Sequence, residues 1–182
     1  DRGMEKERIK ISVRNLVEFI LRSGNLDNRR TSAADREAMQ KGSRIHRKLQ
    51  KQMKPSYKAE VPLKWEEEYP DFIIEIEGRA DGIIDDDGEC VIDEIKGVYR
   101  DLYFLEKPVP VHKAQAMCYA YFYASQKKIS KIEVQMTYCH LETEEIKRFR
   151  EEFSFSYLKK WFEDLLSEYY KWANFQYQRR IE

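Results

Sequence analysis

The stretch from Gly78 to Gly97 constrains the fold more than any other part of the chain. GRADGIID (78–85) and CVIDEIKG (90–97) are rich in Ile and Val, and Asp85-Asp86-Asp87-Gly88 lies across their junction. β-branched residues favour extended backbone, and a Gly after three Asp offers the positive φ of a tight turn. The chain is therefore expected to fold back here as an antiparallel hairpin. Asp81 then lies near the end of one strand and Glu94 near the end of its neighbour. Successive side chains of a strand alternate between faces, so Glu94 and Lys96 project side by side.

The remaining elements follow from periodicity and punctuation. Val13, Leu16, Val17 and Ile20 recur at helical spacing, which predicts a helix over about 9–22, ended by Gly24 and Asn25. A second helix is expected from about Ala33 to Met53, with Gly42, Ile45, Leu49 and Met53 near one face and Pro55 as its stop. YKAEVPLKW (57–65) and DFIIEIEG (71–78) read as two strands before the hairpin. Pro108 and Pro110 break the chain ahead of a helix at about 111–127, and Lys131 to His140 alternates as a strand. EEIKRFREEFS (144–154) fits both a strand and a helix, and the strand is favoured. A long amphipathic helix carrying Leu158, Trp161, Phe162, Leu165, Tyr169 and Trp172 closes the chain, capped by Ser154 or Ser156. The expected order ααββββαββα describes an α/β or α+β domain around a central mixed sheet.

With 182 residues the chain is long enough for one domain, and residues 1–182 are read as one. Its 33 basic and 33 acidic residues cancel, so net charge decides nothing about nucleic acid and local patches matter more. No apolar run approaches the roughly 20 residues of a membrane span, and DRGMEKERIK lacks the apolar stretch of a signal peptide. Cys90, Cys118 and Cys139 are odd in number, far apart and free of any CxxC pair. That usage suits a reduced, cytoplasmic protein and argues against an iron–sulfur cluster or a structural zinc.

Two carboxylates and an amine on one sheet face suit phosphodiester hydrolysis. Hard oxygen ligands hold Mg²⁺ or Mn²⁺, and such an ion activates water and neutralises developing charge. On this reading Asp81, Glu94 and Lys96 are catalytic, and the Ile95 carbonyl is a further metal oxygen. A structural salt bridge on a solvated strand explains the same triplet about as well from spacing alone.

The motifs together break that tie. GRADGI (78–83), VIDEIKG (91–97) and HKAQAMCYAY (112–121) make the chain resemble the PD-(D/E)XK nuclease superfamily, in its RecB-like branch. The resemblance runs over roughly residues 9–175 and implies a restriction-endonuclease-like core: a central mixed sheet flanked by helices. It implies that Asp81 and Glu94 bind metal, that Lys96 assists catalysis, and that His46 in GSRIHRKLQ completes the metal site. It also implies that the Q-x-x-x-Y pair, Gln115 and Tyr119, contacts DNA. Ala80 stands where the superfamily name has Pro, as is usual for the branch. The chain is similar to CRISPR-associated RecB-like exonucleases without their cluster-binding cysteines. Its end, KWANFQYQRRIE, resembles the exit of nuclease domains fused before DinG-like helicases, which implies a domain able to stand at the start of a longer helicase chain.

Further candidates carry less. Glu60 is an acidic candidate for a second metal. His112 suits a phosphate contact or, more simply, the start of a helix. Arg44, Arg47, Lys48 and Lys51 flank His46 and suit phosphates or plain solvation. A mixed oxygen and nitrogen site favours Mn²⁺ over Mg²⁺. The expected function is thus a metal-dependent DNA nuclease, exonuclease-like on single strands or DNA ends, in repair, recombination or defence. The alternative is a non-catalytic nucleic-acid-binding module of a DNA helicase.

Overall fold

A computed structural model describes residues 5–21 and 33–182 of the chain. Six strands form one mixed sheet: β1 (Glu7–Ser12), β2 (Tyr57–Glu68), β3 (Phe72–Asp86), β4 (Glu89–Val98), β5 (Lys131–His140) and β6 (Ile146–Ser154). Helices α1 (Val13–Leu21), α2 (Ala33–Lys51), α3 (Pro110–Lys127) and α4 (Phe155–Ile181) cover it, and a short 3-10 turn spans Leu102–Phe104. This is the expected central mixed sheet flanked by helices. The ambiguous stretch before α4 is indeed a strand, and Ser154 is the cap of α4, its hydroxyl accepting from the Tyr157 amide.

Two expectations are corrected. The helix read over 9–22 is a strand followed by a helix. Ile9 lies four residues before Val13 and so continues the helical frame, yet Ile9 and Ile11 pair in parallel with Ile74 and Ile76. Ser12 ends the strand and accepts from the Asn15 amide, which caps α1. The end expected at Gly24 and Asn25 lies outside the described residues. The second correction concerns the strands read at 71–78 and 78–85, which are one continuous strand, β3. Gly78 is no breaker there. A Cβ at this position would lie 2.4 Å from the Tyr119 hydroxyl, so the glycine makes room for a tyrosine.

β3 is the spine of the sheet. β2 runs antiparallel along one of its edges from Ile73 to Ile84. The other edge is shared: β1 pairs in parallel with residues 72–77, and β4 pairs antiparallel with residues 82–86. Beyond Asp93, β4 leaves β3 and continues beside β5 alone. A fork therefore opens between residues 78–81 of β3 and residues 94–98 of β4.

α1, α3 and α4 pack on one face, and α3 is buried over most of its surface, from Val111 to Ala124. Phe72, Ile74, Ile76 and Ile92 of the sheet join that core. α2 covers the other face, where Ile45 and Leu49 meet Ile95 and Cys139. The alternation of β3 slips once between these faces. A side chain at Gly78 would meet Tyr119, whereas one at Gly82, of the same parity, would meet Tyr57 in the separate cluster of Tyr57, Ile84 and Val91. Asp81 lies at the slip. Its neighbour across the ladder, Glu60, adopts φ 55, a left-handed conformation that costs a non-glycine residue about 1–3 kcal/mol.

Candidate active site

At the mouth of the fork two carboxylates take over bonds that carbonyls make elsewhere in the ladder. Glu94 Oε1 accepts from the Asp81 amide at 3.0 Å, and Asp81 Oδ2 accepts from the Ile95 amide at 2.7 Å. The reciprocal pair fixes both side chains without a further element. Neither bond uses Asp81 Oδ1 or Glu94 Oε2. Glu94 is 1% exposed. Burial, and next the nearby Asp81 carboxylate, raise its pKa well above the usual carboxylate value, while Lys96 opposes the shift. A buried acid held beside a second acid is the arrangement a cation would relieve.

The other candidates converge from α2, α3 and β4. His46 of α2 places Nδ1 3.5 Å from Asp81 Oδ1. Lys96 donates from Nζ to Gln115 Oε1 at 3.0 Å, so α3 holds the ammonium at the end of β4. Around them lies an open cavity of about 700 Å³, its walls including Arg14, His46, Ile95, Lys96, His112 and Gln115. Gly97 sits at its rim, where a Cβ would come within 2.5 Å of Leu141.

Tyr119 is placed differently from Gln115. It is 2% exposed, and its hydroxyl sits near the Gln115 amide at 3.5 Å and accepts from the Arg79 amide. No ring face is open to a base, so its part here is to support Gln115 and the β3 backbone at Gly78 and Arg79. Ile95 turns its side chain into the α2 cluster, and its amide is the donor to Asp81. His112, in the first turn of α3, meets the Tyr138 hydroxyl at 3.0 Å. Arg44, Arg47, Lys48 and Lys51 are exposed, and Lys48 bonds Glu144 at 2.7 Å.

One residue escaped the sequence reading. Gln50 of α2 donates to the Asp81 carbonyl at 2.8 Å and to Glu60 Oε1 at 3.0 Å. It ties the left-handed Glu60 to the backbone of Asp81. The available signal was its spacing: Gln50 follows His46 by four residues and shares its helix face. Glu60 is thus near the site, its carboxylate engaged by Gln50.

The three cysteines are free thiols, and no described helix is long and apolar enough to cross a membrane.

Comparison with known proteins supplies the family. The chain is similar in fold to the crystal structure of SSO0001, with a TM-score of 0.56 and 19% identity over 91% of this chain and 78% of that one. It also aligns with an alkaline exonuclease (LHK-Exo) from Laribacter hongkongensis, at a TM-score of 0.46 and 14% identity over 94% and 92% of the two chains. No curated protein matches the sequence. The family model of the PD-(D/E)XK nuclease superfamily matches residues 7–180, from the first strand to the end of α4. This span includes the fork, both carboxylates, Lys96 and Gln115, and the chain belongs to the PD-(D/E)XK nuclease superfamily.

Proposed function

We propose that this chain is a divalent-metal-dependent deoxyribonuclease, hydrolysing phosphodiester bonds as an exonuclease on single-stranded DNA or DNA ends. The observation that carries the reading is the fork, in which Asp81 and Glu94 clasp each other's strand while Lys96 and His46 close around them. Members of the superfamily generally use divalent metals such as Mg²⁺.

The donor set fits such an ion. Two carboxylates at one point, one of them buried, are the hard anionic donors that Mg²⁺ and Mn²⁺ prefer, and Mg²⁺ commonly keeps several waters beside one or two carboxylates. Among the described residues no group of three His, Cys, Asp or Glu side chains is placed to hold a metal ion, so side chains alone do not complete a shell here and backbone oxygen and water would supply the rest. Asp81, Glu94 and the Ile95 carbonyl would hold the ion, with His46 nearby, its Nδ1 3.5 Å from Asp81 Oδ1. When bound, a divalent cation lowers the pKa of a coordinated water and neutralises charge on the phosphate.

The chain's own groups do the rest. Lys96 has only donors to offer, so it binds a phosphate oxygen or orients a water through its lone pair. Gln115 fixes that ammonium through Oε1, while its amide is turned to the Tyr119 hydroxyl at 3.5 Å. Gln50 holds the Asp81 backbone in place from α2.

The test is a time course of labelled single- and double-stranded DNA with Mn²⁺, Mg²⁺ or EDTA. Cleavage is expected with either metal, faster with Mn²⁺, and absent in EDTA. Asp81→Asn removes an anionic ligand and should abolish cleavage while the fold persists. Equal cutting in EDTA, or wild-type rates from Asp81→Asn, would sink the proposal.

A further inference from the structure

Just outside the cleft the chain presents three large aromatic rings to solvent. Tyr99 is exposed at the end of β4, and its neighbour Arg100 shares the cavity wall with it. Three residues further, Tyr103 and Phe104 are 80% and 70% exposed, among the most exposed large apolar side chains described. Three to four extended residues span at most about 11–14 Å, so the backbone of Tyr103 and Phe104 stands within that reach of Arg100 on the cavity wall.

Their exposure is built, not accidental. Leu102 and Leu105 flank the pair and are both buried in the main core. Asp101 caps the turn, its carboxylate accepting from the Tyr103 amide at 3.0 Å. The Phe104 amide bonds the Asp101 carbonyl and the Leu105 amide bonds the Leu102 carbonyl, at 3.3 and 3.1 Å. Lys147 of β6 donates to the Leu102 carbonyl at 3.1 Å from the other side. The turn is thus pinned at both ends while its middle is pushed outward. The two rings meet edge to face, with centroids 5.1 Å apart and an angle of 88°, so Phe104 steadies Tyr103 without covering both faces of its ring. The Tyr99 backbone is fixed as well, its carbonyl lying 3.0 Å from His140 Nε2.

From this we infer that Tyr103 and Phe104, together with Tyr99 on the cavity wall, form a base-stacking platform for single-stranded DNA entering or leaving the active site. The inference rests on the nuclease reading for the identity of the cleft. Unpaired bases offer open π faces to rings held this way, whereas a blunt duplex hides its bases in the stack. For the accompanying phosphates there are Arg100 on the cavity wall and the Lys147 ammonium, held at the Leu102 carbonyl, while the Asp101 carboxylate is turned to the Tyr103 amide. The platform would favour a frayed or single-stranded end over a closed duplex, and it would do so without reading sequence.

The experiment is fluorescence anisotropy with a labelled oligothymidylate and a labelled blunt duplex, in EDTA so that no strand is cut. Wild type is compared with Tyr103→Ala, Phe104→Ala and the double variant, with thermal melts alongside. The double variant is expected to weaken single-strand binding about tenfold or more, the effect of losing one stacked base. Duplex affinity should change less than about twofold, and the melting temperature should hold because neither ring is buried. Equal losses on both DNAs, no loss on either, or a wild type that fails to bind the single strand would overturn the platform. So would a wild type that sediments as a dimer and a variant that sediments as a monomer with unchanged DNA affinity, since the rings would then join two copies of the chain. A wild type that binds the single strand through these rings yet cuts nothing with Mg²⁺ or Mn²⁺ would leave the platform standing and remove the nuclease reading instead.

Discussion

Asp93 and Glu94 are neighbours on β4, both 1% exposed, on opposite faces of the sheet. On the α2 face, Asp93 accepts from the Tyr57 hydroxyl at 2.7 Å, the Thr137 hydroxyl at 2.6 Å and the Gln135 amide at 3.1 Å. Three neutral donors surround it, and the network knits β2, β4 and β5 together. At the fork, Glu94 accepts from one backbone amide and faces a second carboxylate, Asp81. Burial is the same on the two sides, and the difference lies in what satisfies the charge. The first acid is completed by the protein, whereas the second would be completed by the cation proposed above.

Exchanging each acid for its amide should separate the two faces, and the largest effect belongs to Glu94→Gln. Cleavage in Mn²⁺ should fall at least about a thousandfold, roughly 4 kcal/mol of barrier. Stability should move the other way. In the metal-free chain the raised pKa of Glu94 means that the folded state keeps a proton which the unfolded chain releases above its ordinary 4.5. This group's contribution is therefore full below pH 4.5 and is lost as pH rises towards the folded value. Melts in EDTA from acid to neutral pH should show wild type losing ground to Glu94→Gln, by about 2–4 °C for each kcal/mol in a chain of this size. A variant that melts lower than wild type at neutral pH would erase the contrast.

Asp93→Asn comes next, and its effect is on stability. The amide turns a donor against a ring of donors, at a cost of roughly 2–4 kcal/mol by denaturant unfolding. Any cleavage lost should return in proportion to the folded fraction at lower temperature. Gly82→Ala tests the same face, because a Cβ there would lie 1.8 Å from the Tyr57 ring. It should cost about 1–3 kcal/mol of stability as Tyr57 is driven off Asp93, and an unchanged melt would show that the tyrosine is not fixed. Smallest is Gln115→Ala, which frees the Lys96 ammonium. Turnover should fall about tenfold, near 1.4 kcal/mol, with the melt almost unmoved. A large drop in melting temperature with normal turnover would make Gln115 a packing residue.

Much of this was legible in the sequence for physical reasons. The turn at 85–88 and the period of two in the flanking runs set the hairpin, and with it the approach of Asp81 to Glu94. The spacing of four put Gln115 and Tyr119 on one face of α3, but of the two only Gln115 lines the cavity. What stayed hidden depended on long-range partners. β1 was misread because Ile9 continues the helical frame of α1, and only pairing with β3 settles the matter. Gln50 was missed because its value lies in reaching the carbonyl of a strand far along the chain. Asp93 sits in an apolar run that suggests burial, but nothing local names Tyr57, Gln135 and Thr137 as its donors. The slip in β3 is invisible for a related reason: it follows from Tyr119 on one face and Tyr57 on the other, each claiming a glycine.

The clasp between Asp81 and Glu94 makes two particular amides into gauges. A backbone carbonyl is an acceptor of fixed strength, but a carboxylate weakens as an acceptor when it gains a proton or shares its electrons with a cation. The amide protons of Asp81 and Ile95 therefore hang on groups whose basicity follows the state of the site. Their hydrogen-exchange rates would quicken as the carboxylates are drawn elsewhere, while amides deeper in the β3–β4 ladder, such as those near Ile83 and Ile92, keep their protection. Occupancy of the centre could then be followed from the backbone alone, without DNA and without turnover.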